Sequence, residues 1–168
     1  MSYFLPAQSQ QPLLIHVSSG PDSAGNGFSN FETSVYPNFF SAFVTAVYLQ
    51  RYGTPVTMFF NGEGVNGLIK GRLATMIGNP EAEKTIAEQL GMSIPDFLHS
   101  DHPQNLLEWA QTFVRHGGQV TYCGTTNTWA GNAKSWSDNS KMESFANPLN
   151  IQQVAAIVIN KNRNYIAL

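Results

Sequence analysis

Charged side chains are scarce in this sequence. Only 12 % of its 168 residues are Asp, Glu, Lys or Arg, about half of the roughly 25 % usual in soluble domains. The formal net charge is −2 and the isoelectric point about 6.0, so no basic surface recommends a nucleic acid or an anionic membrane as partner. Cysteine is scarcer still. The single one, Cys123, rules out an internal disulfide framework and leaves either a packed thiol or a reactive one. No apolar run approaches the ~20 residues of a membrane span. The opening stretch MSYFLPAQSQQP has neither a basic n-region nor an apolar core of the secretory kind, and a cytoplasmic location is expected. Internal repeats and long low-complexity tracts are also missing. What remains is a surface built largely of Asn, Gln, Ser and Thr. Such a surface tolerates close contact with a second copy, so a homo-oligomer is expected.

The length suits one domain able to bury a sizeable core, and residues 1–168 are read as such a unit. Residues 1–12 read as a loose arm, or one pinned by Phe4 and Leu5 against a neighbour. The run Leu13-Leu14-Ile15-His16-Val17 is short, apolar and closed by Ser18-Ser19-Gly20-Pro21, the pattern of a strand buried on both faces. Apolar residues at Phe39, Phe40, Phe43, Val44, Val47 and Tyr48 recur at helical spacing and predict a helix over 39–51, with Pro37 near its start and Gly53 at its end. Val56 to Phe60 reads as a second strand, 61–67 as a turn, and 68–73 as the start of a short helix. This strand, helix, strand order is a βαβ unit with a right-handed crossover. Residues 73–103 are the least regular. They read as a helical insertion, with a helix from Pro80 to Leu90 and a single turn over 93–98.

Leu106, Leu107, Trp109, Ala110, Phe113 and Val114 give 103–116 a broad apolar helix face, and the strand QVTYC follows. The stretch 128–145 has poor periodicity. Asn150 is placed to cap a helix over 151–160, although 155–159 also fits a strand. Tyr165-Ile166-Ala167-Leu168 reads as the last strand. The fold class expected is α/β: three layers, with a mostly parallel sheet flanked by helices in a flavodoxin-like manner.

In such sheets ligands bind beyond the carboxyl ends of the strands, and Cys123 stands where the QVTYC strand ends. A reactive thiolate needs a helix N-terminus, a cation or hydrogen bonds to sulfur. Gly124, Thr125 and Thr126 are able to supply N–H and hydroxyl donors. Ser19 and Gly20, and Gly62, Glu63 and Gly64, close two further strands, and their N–H groups are candidates to line a binding site. Glu63 is the carboxylate to watch as a proton partner. His16 reaches the thiol only if the first strand lies beside the Cys123 strand. Each candidate has a plainer alternative: buried cysteine is common in cores, glycines make ordinary turns, and His16 suits a core or rim position. His99-Ser100-Asp101-His102 lacks the company of a metal site, and neither metal nor cofactor is expected. Trp129 and Trp136 suit a site wall or, more simply, a subunit interface.

A first strand ending in SSGP, a long helix, a strand ending at NGEGV and the segment LLEWAQTFVRHGGQVTYCGTT together resemble the DsrE/DsrF-like family, over residues 13–72 and 104–168. The resemblance implies a YchN-like fold of small α/β subunits assembled as trimers or hexamers. In the sulfur-relay branch of that family a cysteine accepts sulfur as a persulfide and hands it to a partner protein, and Cys123 matches that cysteine by position. The sequence departs from the branch in two ways: GTTNTWAGN after the cysteine has no Arg or Lys, and the 73–103 insertion is longer. A cysteine-based sulfur carrier or sulfurtransferase is therefore the leading expectation. A non-enzymatic module binding a small ligand or a protein comes second. A hydrolase or nucleotide binder using the Gly-rich loops comes third.

Overall fold

The computed structural model describes residues 11–26, 35–89, 91, 93, 103–160 and 164–168. The elements in chain order are β1 (Leu13–Val17), α1 (Val35–Arg51), β2 (Val56–Phe60), α2 (Gly64–Gly67), α3 (Arg72–Thr75), α4 (Pro80–Gln89), α5 (Leu106–Arg115), β3 (Gln119–Cys123), α6 (Gly124–Trp129), β4 (Ala146–Leu149), α7 (Ile151–Val158) and β5 (Asn164–Ala167). The strands form one sheet in the order β4-β3-β2-β1-β5, and every pairing is parallel. The chain steps from β1 outward to β4 with α1 and α5 on one face. It then returns beneath the sheet through α7 to place β5 on the far side of β1. Right-handed crossovers taken in opposite directions put their helices on opposite faces.

The main core lies between the sheet and the α1–α5 pair. Phe39, Phe43, Phe60, Phe113, Leu68, Met58 and Tyr122 are fully buried there. The Phe60 ring lies 5.6 Å from Phe39 and 5.9 Å from Phe43. Each such ring contributes roughly 1.5–3 kcal/mol of burial. Helix α5 is fixed at its start by reciprocal capping. The Asn105 side chain accepts the Glu108 N–H at 3.0 Å, while the Glu108 carboxylate accepts the Gln104 N–H at 2.7 Å. At its end Gly118 N–H donates to the Phe113 carbonyl at 3.1 Å, and a side chain at Gly118 would overlap the Phe113 ring.

The second face is covered differently. Leu14, Phe59 and Cys123 are packed there by Leu149 and, from α7, Val154 and Ile157. The rest of α7 and all of β5 stand exposed. No helix among the described residues is long and apolar enough to cross a membrane.

Several elements differ from the sequence expectation. Helix α1 begins at Val35, a turn before its apolar stripe. The turn at 61–67 contains a helical turn, α2, and the short helix expected to begin in 68–73 starts only at Arg72. Strand β4 was not anticipated, and no helix follows Trp129 before it. The helical reading of 151–160 holds to Val158, with a full capping box between Asn150 and Gln153. The arm at 1–10, the turn expected at 93–98 and the His99–His102 pair fall outside the described residues, apart from Ser93.

Replacing Phe43 by Ala is expected to lower the unfolding free energy by about 3–5 kcal/mol. Replacing Asn105 by Ala removes the α5 cap and is expected to cost about 1 kcal/mol. Urea unfolding followed by circular dichroism measures both.

Candidate functional site

Three strands deliver their following loops to one end of the sheet. β1 runs into Ser18-Ser19-Gly20-Pro21, β2 into Asn61-Gly62-Glu63, and β3 into Cys123. The first two loops are locked backbone to backbone. Asn61 N–H donates to the Val17 carbonyl at 3.0 Å and Gly64 N–H to the Ser18 carbonyl at 3.2 Å. Gly20 lies so close that any Cβ there would overlap the Glu63 carbonyl oxygen. Glycine is required because two main chains touch, not because a turn is tight.

The third loop is tied in by side chains. Asn61 Oδ1 accepts both the Gly62 N–H at 2.8 Å and the Thr126 hydroxyl at 2.6 Å, joining the β2 loop to the first turn of α6. Deeper, Asn66 donates to the Pro21 carbonyl at 2.9 Å, and Asn132 donates to Asn66 Oδ1 at 2.9 Å. Arg72 donates to the carbonyls of Asp22, Ser23 and Asn66. Burial lowers its pKa, and the charge of Asp22 partly opposes this. Gly124 passes so near the Trp136 carbonyl that a Cβ would overlap it, which holds the 130–145 stretch over α6.

Cys123 is the N-cap of α6. Its sulfur accepts the Thr126 N–H at 3.5 Å. The residue is 4 % exposed, packed on the second face among Leu14, Phe59, Leu149, Val154 and Ile157. The thiol thus has a donor aimed at it and an apolar cover over it. Its closest relations at the strand ends are Thr126 and, through Thr126, Asn61.

The structure gathers Ser19, Gly20, Gly62, Glu63, Gly64, Gly124, Thr125 and Thr126 at this one end. Ser19 accepts from Asn38 of α1 at 3.2 Å. Glu63 is exposed and contributes its backbone carbonyl to the contacts above. The condition set for His16 fails, because β2 lies between β1 and β3. The His16 ring packs on Phe59 at 5.2 Å between centroids, and its Nδ1 is hydrogen-bonded to the Tyr165 hydroxyl of β5. It serves the β1–β5 seam instead. Among the described residues no group of His, Cys, Asp and Glu is arranged to hold a metal.

Residues that sequence reasoning passed over include Asn61, Asn66, Asn132, Arg72 and Asn127. Asn127 is fully buried on α6 with both side-chain polar atoms unpartnered. So is the Tyr122 hydroxyl, and burial, aided by the negative charge of Asp138, pushes that phenol up to about 12. A run of asparagines around a glycine-rich loop was the available signal. Nothing local distinguished the structural ones.

No family model matches the chain, and no curated protein matches it. Among solved structures it is similar to the crystal structure of the YchN protein from E. coli, with a TM-score of 0.56 at 10 % sequence identity, over 95 % of this chain and 100 % of that one. With the all-parallel five-stranded sheet flanked by helices, this likeness gives an α/β fold of the YchN-like kind.

Burial lowers the pKa of His16 below its ordinary 6.5. The folded state therefore favours the neutral ring, and the unfolded chain binds more protons between the two pKa values. Stability from this group is complete above pH 6.5 and falls as pH drops through the lowered value. A wild-type melting temperature that declines from pH 7 toward pH 5, with a shallower decline in His16→Asn, is the expected result by scanning calorimetry.

Proposed function

We propose that this protein is a cysteine-based sulfur carrier of the DsrE-like type, with Cys123 as the sulfur-bearing residue. The observation supporting the reading is the Thr126 N–H directed at the sulfur from the first turn of α6. The N–H fixes the sulfur at the strand end, where the chemistry of a sulfur carrier takes place, and the nucleophile in that chemistry is the thiolate. In this reading the Cys123 thiolate attacks the outer sulfur of a sulfane donor such as thiosulfate. A new S–S bond forms to Cys123, the donor's S–S bond breaks, and sulfite departs with the electron pair. An acceptor thiolate then attacks the outer sulfur of the persulfide, and Cys123 leaves as thiolate. No cofactor enters.

Ser19, Gly20, Gly62, Glu63, Gly64, Gly124, Thr125 and Thr126 would form the mouth through which donor and acceptor approach. The lid over the sulfur is α7, which meets it through Val154 and Ile157 while its other residues face outward. A helix held by so few contacts opens at low free energy. A reducing, cytoplasmic setting, in which a lone thiol stays free, belongs to the same reading.

The 4 % exposure of Cys123 favours a second reading, a ligand- or protein-binding scaffold in which the thiol only packs. Intact mass after incubation with thiosulfate or polysulfide separates the two. The carrier gains one sulfur atom that dithiothreitol removes, and Cys123→Ser gains none. An unchanged mass, with a folded-state thiol that resists iodoacetamide, overturns the carrier and leaves the scaffold.

A further inference from the structure

Among the described residues the outer side of β5 is an open sheet edge, and we propose that it pairs antiparallel with β5 of a second copy of this chain about a two-fold axis, joining the two sheets into one. The inner side of β5 defines which groups are left over. Asn164 N–H donates to the Pro12 carbonyl at 2.9 Å, Leu168 N–H to the His16 carbonyl at 2.8 Å, and the Leu168 carbonyl accepts from Ser18 N–H at 3.0 Å. Backbone direction alternates along a strand, and in a parallel pair the N–H and C=O of one residue point the same way. The N–H and C=O groups of Tyr165 and Ala167 therefore point outward, and no described strand pairs with them.

Natural edge strands are guarded by Lys, Pro, bulges or extreme shortness. The opposite edge, β4, carries Pro148, which has no N–H to offer. β5 is as short as β4, four residues, but contains neither Pro nor Lys. Its pairing with β1 runs in register without a bulge, and neither it nor α7 contains a charged residue. Tyr165 is 49 % and Ile166 40 % exposed, and Val158 at the end of α7 and Ile159 after it are exposed as well.

A second copy is the occupant that fits. A two-fold axis requires a surface complementary to itself. Two β5 strands meet that demand with the axis at Ile166: Tyr165 of each copy then exchanges hydrogen bonds with Ala167 of the other. Both outward N–H and both outward C=O groups of each strand are satisfied. Ile166 faces its symmetry mate at the close, non-hydrogen-bonded position, where apolar side chains touch. A net charge of −2 per chain opposes this approach only weakly.

The alternation supplies a test with internal controls. Amide hydrogen exchange on the full chain is measured across a micromolar concentration series, alongside sedimentation velocity. Dimerisation with protection of the Tyr165 and Ala167 amides that rises with concentration is expected, while those of Asn164 and Leu168 stay protected throughout. Ala167→Pro removes only an outward N–H and is expected to weaken association on the order of tenfold. Ile166→Glu sets two carboxylates face to face and is expected to leave monomer at neutral pH. A monomer at every concentration, or any assembly whose Tyr165 and Ala167 amides exchange without regard to concentration, overturns the proposal even if either variant fails to fold.

Discussion

The contact on which this structure turns is the meeting of two main chains at the carboxyl end of the sheet, where Gly20 lies against the Glu63 carbonyl. With no side chain between them, the loops after β1 and β2 seal into one surface through Asn61 N–H to Val17 and Gly64 N–H to Ser18. That surface fixes where α2 begins. It also sets where Asn61 stands to receive Thr126, and so the orientation of α6, whose Thr126 N–H is directed at the Cys123 sulfur. A methyl group at Gly20 would spread this end of the molecule apart without touching the phenylalanine core.

The two faces of the sheet are held in unlike ways. One has two long amphipathic helices and a dense aromatic interior. On the other, the described residues supply one two-turn helix, packed over the middle strands. Cys123 belongs to this side, nearly buried beneath Leu149, Val154 and Ile157. Among the described residues β5 stands exposed beside it. The proposed chemistry at the thiol and the proposed contact at the edge would both draw on this one property of the fold, and the β5 edge lies two strands beyond the strand that separates His16 from Cys123.

Legibility in the sequence followed locality. Helices α1 and α5 declared themselves through apolar residues at 3.6-residue spacing. The α7 cap was visible because Asn150 and Gln153 sit three apart. Grouping Cys123 with the two glycine-bearing loops needed only the rule that parallel strands empty their loops at one end. Strand β4 was invisible because Asn147 and Pro148 break every strand pattern; it forms because β3 offers a ladder to an edge strand that can spare an N–H. The order of strands was not written in any segment, so the relation of His16 to Cys123 stayed conditional until β2 was found between them. The Asn66–Asn132 bond joins residues 66 positions apart, and composition alone gives no hint of which asparagines are so used.

The placement of β5 beside β1 has a consequence for synthesis on the ribosome. His16 and Tyr165 are 149 positions apart, so the flank of β1 that β5 covers stays bare until nearly all of these residues have emerged. A nascent chain can assemble β1 through β4 with α1 and α5 while holding an unfilled slot. Closing it is a long-range step, which loop-closure entropy makes late. During that interval β1, not β5, is the exposed margin of the sheet, and it is the more apolar of the two. Until β5 arrives, that bare flank of β1 is the edge of the sheet most open to mispairing.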